Sequence, residues 1–244
     1  MAKTPSKKLK AAAGAAKHHA DVRKVLHVGC GPRLENAAQL PPQFQGTEWE
    51  EVRLDIDPKT KPDIVADMLD MKDVSNASMD AVYSSHNVEH LYAHEIPKAF
   101  KEFFRVLKPG GVLLMATPDT QSVAAYVAEG MLEEPLYDSP SGPICPIDIL
   151  YGWRKAIAEG NTFMAHKSGM TAKSLAQHLL QCGFSNLLVQ REWVNLWATA
   201  YKLPENHPQR QMAARIVNAK LTGSKGQRLP FWYERKLRIE ENPE

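Results

Sequence analysis

The stretch Val25-Leu26-His27-Val28-Gly29-Cys30-Gly31-Pro32-Arg33 constrains this chain more than any other. Val25 to Val28 is an apolar run suited to a buried strand, and Gly29 and Gly31 follow it directly. Glycine permits the positive φ of a tight turn and a close approach of backbone to ligand. Where a strand runs through such a loop into a helix, free backbone N–H groups point at whatever binds there. A second short strand, Val52-Arg53-Leu54-Asp55-Ile56-Asp57, then ends in carboxylates. A glycine loop after one strand and an acid closing the next is an arrangement for holding a nucleoside, because the acid accepts hydrogen bonds from the ribose hydroxyls.

The rest of the chain alternates strand and helix signals. Helical character is expected near 34–40, ended by Pro41-Pro42. Asp63-Ile64-Val65-Ala66-Asp67 reads as a third strand and Met79 to Ser84 as a fourth, running into Ser85-His86-Asn87. The clearest helix covers 97–107: Pro97 suits a first helical position, and Phe100, Phe103, Phe104 and Leu107 make one apolar face. Lys108-Pro109-Gly110-Gly111 breaks it, and Val112 to Ala116 follows as a buried strand. Such alternation means a parallel sheet covered by helices. The period is lost over 120–170, which holds Pro135, Pro140, Pro143 and Pro146. A connection of that length inside a compact domain is usually functional. Thr171 then caps a helix through Leu175, Leu179 and Leu180; two adjacent strands follow at 187–189 and 196–201, and a helix is expected over 208–221.

Composition narrows the class. A length of 244 residues fits one α/β domain with additions, and a net charge of +2 does not by itself argue for nucleic acid. Cys30, Cys145 and Cys182 have neither paired nor metal-type spacing, which favours a reducing, cytoplasmic setting. No apolar run reaches the roughly 18–20 residues of a membrane helix, so no membrane partner is expected.

Four stretches, in this order and spacing, resemble the class I S-adenosylmethionine-dependent methyltransferases, small-molecule-type branch in particular: Val28-Gly29-Cys30-Gly31, Leu54-Asp55-Ile56-Asp57, Asp80 to His90, and Arg105-Val106-Leu107-Lys108-Pro109-Gly110-Gly111. The resemblance implies a Rossmann-like, doubly wound seven-stranded sheet with its last strand antiparallel, and a lid inserted between the fifth strand and the following core helix. It implies S-adenosyl-L-methionine as cofactor. Gly29, Cys30 and Gly31 would line its methionine and ribose part, Asp55 would hold the ribose hydroxyls, and Ile56 would pack on the adenine. Asp67 and Met68 would sit near the adenine edge, and Ser85 and His86 would face the methyl group. The chain departs from the family pattern twice. His27 stands where an acid precedes the loop, and Arg33 replaces a third glycine, close enough to pair with a cofactor carboxylate.

His86 is the candidate catalytic base, since ligand crevices open at the carboxyl ends of such strands and a neutral imidazole accepts a proton near neutral pH. Asp57 reads as an Asp-Pro turn residue beside Asp55. His86, His90 and His94 recur at helical spacing, but without a third ligand type or a fixed outer shell no metal is expected; His90 reads as packing. His166, Tyr151 and Trp153 are candidate substrate contacts if 120–170 covers the site. The division expected is a basic tail at 1–20, a methyltransferase domain at 21–203 with its lid at about 120–170, and a C-terminal helical extension at 204–244. The expected reaction is methyl transfer to an O or N acceptor of a small-molecule or carrier-bound substrate. RNA or protein is the less favoured acceptor, motivated by the basic termini and by Trp232-Tyr233. A non-catalytic, cofactor-binding interaction protein is the third reading. Oligomeric state is left open.

Overall fold

A computed structural model describes residues 22–35, 39–140, 142–223, 226–230, 232–234 and 236–237. The basic tail at 1–20 lies outside them. The first five strands are β1 (Arg23–Val28), β2 (Trp49–Asp55), β3 (Ile64–Val65), β4 (Met79–Ser85) and β5 (Leu107–Pro118), with helix α1 (Ile96–Val106) between β4 and β5. After β5 come α2 (Thr120–Ala128), a hairpin of β6 (Tyr137–Ser139) and β7 (Gly142–Ile144), α3 (Pro146–Tyr151), α4 (Arg154–Ala158) and α5 (Ala172–Gln181). The chain then adds β8 (Ser185–Glu192), β9 (Asn195–Tyr201) and β10 (Ala214–Lys220).

The main sheet has eight strands in the order β10-β8-β9-β5-β4-β1-β2-β3. Its strands run parallel except β9, which pairs antiparallel with both β5 and β8. Seven of them follow the expected plan, and β10 is the addition. The helix expected over 208–221 is therefore a correction: Ala214–Lys220 pairs parallel with β8. The β-branched pair Ile216-Val217 suits a strand, and the outer edge of β8 offers it a row of unpaired amides and carbonyls.

Helix α1 forms where the apolar spacing required it. Phe100 and Phe103 are fully buried, and Phe104 packs edge-on against Phe184 at 5.2 Å. Each such ring removed from water stabilises by about 1.5–3 kcal/mol. On the same side lies α5, started by a reciprocal cap between Thr171 and Ser174 and burying Leu175 and Leu179. Among the described residues the opposite face carries a smaller cluster, Val25, Phe44, Ala81, Tyr83 and Leu114, covered by the short turn Pro42–Phe44. The described part of 34–40 is not helical; residues 36–38 are not described.

Residues 120–170 are more regular than the sequence suggests: Pro146 starts α3, and Pro140 lies in the turn that follows β6. This insert and the C-terminus share a second core. Val123, Tyr126, Leu136 and Ile149 pack with Trp193 and Val194 of the β8–β9 turn and with Leu229, Tyr233 and Leu237. The Tyr126 hydroxyl donates to the Arg228 carbonyl at 2.6 Å and accepts from Trp193 Nε1 at 2.6 Å. Tyr233, one of the aromatics that motivated an RNA reading, is thus a core residue. No helix among the described residues is long and apolar enough to cross a membrane.

Candidate functional site

The strand ends β1, β2, β4 and β5 bring the predicted residues to one edge. Gly29 donates its N–H to Leu54 O at 2.8 Å, and Gly31 donates to Asp55 Oδ2 at 2.8 Å. Both glycines have φ near +60°, at +63° and +61°. Gly29 is obligatory for a second reason: a Cβ there would collide with the Asn87 amide, which itself donates to Val28 O at 2.7 Å. At Gly31 a Cβ would meet only open space, so the backbone there is bare toward the crevice. The other Asp55 oxygen accepts the Asp57 N–H at 2.9 Å, so two main-chain amides orient the carboxylate. Asp57 is the turn residue expected, accepting from the Lys59 N–H at 2.9 Å.

The remaining cofactor candidates lie along the same edge. Ile56 is exposed just past β2, while Asp67 accepts the Leu69 N–H at 2.9 Å and Met68 packs partly against the main core. Ser85 ends β4 beside Ala116. Cys30 is buried, and burial pushes its thiol up, which leaves it a poor nucleophile.

The two departures from the family pattern are taken up by the chain's own acids. His27 Nδ1 lies 2.7 Å from Glu51 Oε1. Burial lowers the His27 pKa more than Glu51 raises it, so the ring is neutral and donates to that carboxylate. Arg33 reaches Glu51 at 3.9 Å and Asp63 at 3.7 Å, so its charge is matched within the protein. Sequence reasoning missed Arg53. It is 1% exposed, and its guanidinium donates to Cys30 O at 3.1 Å, Gly31 O at 2.7 Å and Glu51 Oε1 at 3.0 Å. It holds the glycine loop from beneath. The available signal was a cation between two apolar residues of the strand, Val52-Arg53-Leu54.

Beyond β4 the chain turns sharply. His86 sits at φ +54°, with its side chain half exposed and Nδ1 3.3 Å from Glu89 Oε1. Burial alone would lower the His86 pKa, but the Glu89 carboxylate outweighs it and raises it. Glu89 is 2% exposed; burial works to raise its carboxyl, and His86 and His90 bring it net below the usual range. His86, His90 and His94 do not share a helix face. Val88–His90 is a separate short turn before α1, His94 stacks on Tyr92, and His90 meets His166 of the insert at 4.9 Å between ring centroids. The return of the insert is fastened here: Lys167 and Ser168 donate their N–H groups to Glu89 O at 2.8 and 3.2 Å. A cavity of about 230 Å³ opens between the two parts, lined by Glu89, Thr117, Pro118, Tyr151, His166 and Ser168 among others. Of the three candidate substrate contacts, His166 and Tyr151 line the cavity and Trp153 does not.

Residues 26–115, from β1 into β5, match the methyltransferase domain family. No curated protein matches the chain. A SAM-dependent methyltransferase from Archaeoglobus fulgidus is similar in structure at 15% identity and a TM-score of 0.50, over 74% of this chain and 86% of that one. A SAM-dependent methyltransferase from Methanosarcina mazei is similar at 17% identity and a TM-score of 0.51, over 76% and 94%. An O-methyltransferase family protein from Burkholderia thailandensis gives 12% and 0.50, over 75% of this chain and 52% of that one. At these identities the likeness is one of fold. Strand order, glycine loop and Asp55 agree with this: residues 26–115 match a methyltransferase domain, and the fold is that of the S-adenosylmethionine-dependent methyltransferases, proteins whose cofactor is S-adenosyl-L-methionine.

Proposed function

We propose that this protein transfers a methyl group from S-adenosyl-L-methionine to an oxygen or nitrogen of a small molecule, free or carried on a larger one. The observation that supports this reading best is the cavity of about 230 Å³ between the ends of β4 and β5 and the insert, lined by Glu89, Thr117, Tyr151 and His166 among others. It suits one compact acceptor group.

The chain's residues fit the cofactor. The bare backbone at Gly31 leaves room for it, and Asp55 presents an oriented carboxylate with lone pairs to spare for ribose hydroxyls. In this reading Gly29, Cys30 and Gly31 flank the methionine and ribose part, Ile56 covers the adenine, and Asp67 and Met68 border it. The bound cofactor supplies a methyl already activated on a sulfonium. What the protein adds is orientation and exclusion of water. Ser85 and His86 face the transfer from the end of β4. His86, with Nδ1 toward Glu89, would offer Nε2 to take the acceptor's proton. The free, widely spaced cysteines support a reducing, cytoplasmic setting.

The test is transfer of labelled methyl into a cell extract, followed by fractionation. Label in low-molecular-weight or carrier-linked material, lost on Asp55→Ala, is expected. Label confined to RNA or polypeptide would contradict the substrate class, and no label with any fraction would contradict the enzymatic reading.

A further inference from the structure

The methyl-transfer reading uses His86 and leaves its neighbours without a task. Glu89, His90 and His166 each offer a donor atom, and the three atoms lie within 4.8 Å of one another. Glu89 and His90 come from the turn after β4, and His166 comes from the far end of the insert. Packing and hydrogen bonding do not account for all of their polar atoms. His90 Nδ1 lies 3.1 Å from Ala165 O, and His166 Nδ1 lies 2.8 Å from Ile149 O. A carbonyl only accepts, so each Nδ1 carries the proton and each Nε2 keeps its lone pair. This is the outer-shell arrangement that fixes a metal-binding imidazole.

Glu89 supplies an independent observation. Its side chain is 2% exposed, and Oε2 accepts from the Thr117 hydroxyl at 3.2 Å. Oε1 has no hydrogen bond among the described residues, and His86 Nδ1 touches it at 3.3 Å outside hydrogen-bond geometry. Ser168 Oγ, on the wall of the same cavity, is also buried without a partner among the described residues. A buried carboxylate oxygen without a hydrogen bond among the described residues, within reach of two imidazoles, is a place for a cation.

We propose that Glu89, His90 and His166 bind a divalent transition-metal cation of the zinc class. Two imidazoles and one carboxylate are a donor set such ions take with a coordination position left open, whereas magnesium and calcium prefer oxygen ligands. Bonds of about 2.0–2.2 Å draw the three donors together by side-chain rotation. The cation ties the insert to the domain at the point where Lys167 and Ser168 already fasten it. Its open side faces the cavity, and there, resting on the methyl-transfer reading, it holds an oxygen of the acceptor, which narrows the substrate class to hydroxyl-bearing compounds. The absence of a metal expected from the sequence weighed His94 with His86 and His90; the fold replaces that set with residues far apart in the chain.

The experiment uses full-length, tag-free protein dialysed against chelator and titrated with Co2+ alone, read by visible absorption. One equivalent should give the intense bands of low-coordinate Co2+, and Zn2+ should abolish them. Glu89→Gln and His166→Ala should each weaken binding by at least about a hundredfold, beyond the 10–100-fold typical of losing an outer-shell partner. His94→Ala should bind as the parent does. His166→Gln, which keeps a donor for Ile149 O, is run in parallel should the alanine variant misfold. No bands in the parent, or parent-like binding by the Glu89 and His166 variants, would overturn the cation site. Calorimetry with S-adenosylhomocysteine on the same samples separates the two ideas. Heat without Co2+ binding removes the cation and leaves methyl transfer standing, and Co2+ binding without heat does the reverse.

Discussion

At the scale of single residues, the glycine loop depends on a buried cation. Arg53 satisfies the carbonyls of Cys30 and Gly31 and matches Glu51, which in turn accepts from His27. Removing one partner of a buried charged network costs about 3–5 kcal/mol. Arg53→Met should therefore lower unfolding free energy by about that much and weaken S-adenosylhomocysteine binding, measured by urea unfolding and calorimetry. A variant with parent stability and affinity would show that the loop holds itself. Gly29→Ala should be worse for binding than Gly31→Ala, because only at position 29 does a Cβ meet the Asn87 side chain. Much of this was legible: Gly29, Gly31 and Asp55 announce themselves by type and spacing. Arg53, Glu51 and Asn87 did not, because their roles arise from strand register, which pairs His27 with Arg53 across β1 and β2.

At the scale of elements, the insert is the proposed source of specificity. Its regular pieces were hidden because short helices and a three-residue hairpin leave too little periodicity to read. Helix α3 is held at its start by Asp148. Burial works to raise that carboxyl, but Arg154 Nε at 2.8 Å and the Cys145 N–H at 3.0 Å outweigh it, so its pKa is net lowered. A lowered folded-state pKa contributes stability that is present above the unfolded value, about 4, and lost as pH falls through the folded value. The parent should lose stability across that acid window more than Asp148→Asn does, as urea midpoints taken on either side of it will show; equal losses would remove Asp148 as the source. Deleting the hairpin and α3 should abolish methyl transfer and leave cofactor binding within a few-fold. Equal loss of both would mean that the insert is part of the cofactor site.

At the scale of the whole molecule, the described residues after β10, as far as Leu237, belong to the fold. The seven-strand plan could be inferred from alternating motifs, each with a local signal. The eighth strand could not, because Ala214–Lys220 has a mixed pattern and becomes a strand only when the edge of β8 receives it. The second core joins the insert to residues far later in the chain through Leu229, Tyr233 and Leu237. Leu237 is fully buried, so Leu237→Ala should cost about 2–5 kcal/mol, read as a lower denaturant midpoint, whereas a mobile tail would show no change.

The whole account turns on a nucleoside held between the glycine loop, open at Gly31, and the Asp55 carboxylate. The most direct measurement is the affinity of Asp55→Ala for S-adenosylhomocysteine by calorimetry, with thermal unfolding as a check that the variant is folded. Loss of charged hydrogen bonds worth about 1.5–3 kcal/mol predicts binding weaker by roughly 10–100-fold. A folded variant that binds as tightly as the parent would contradict the account.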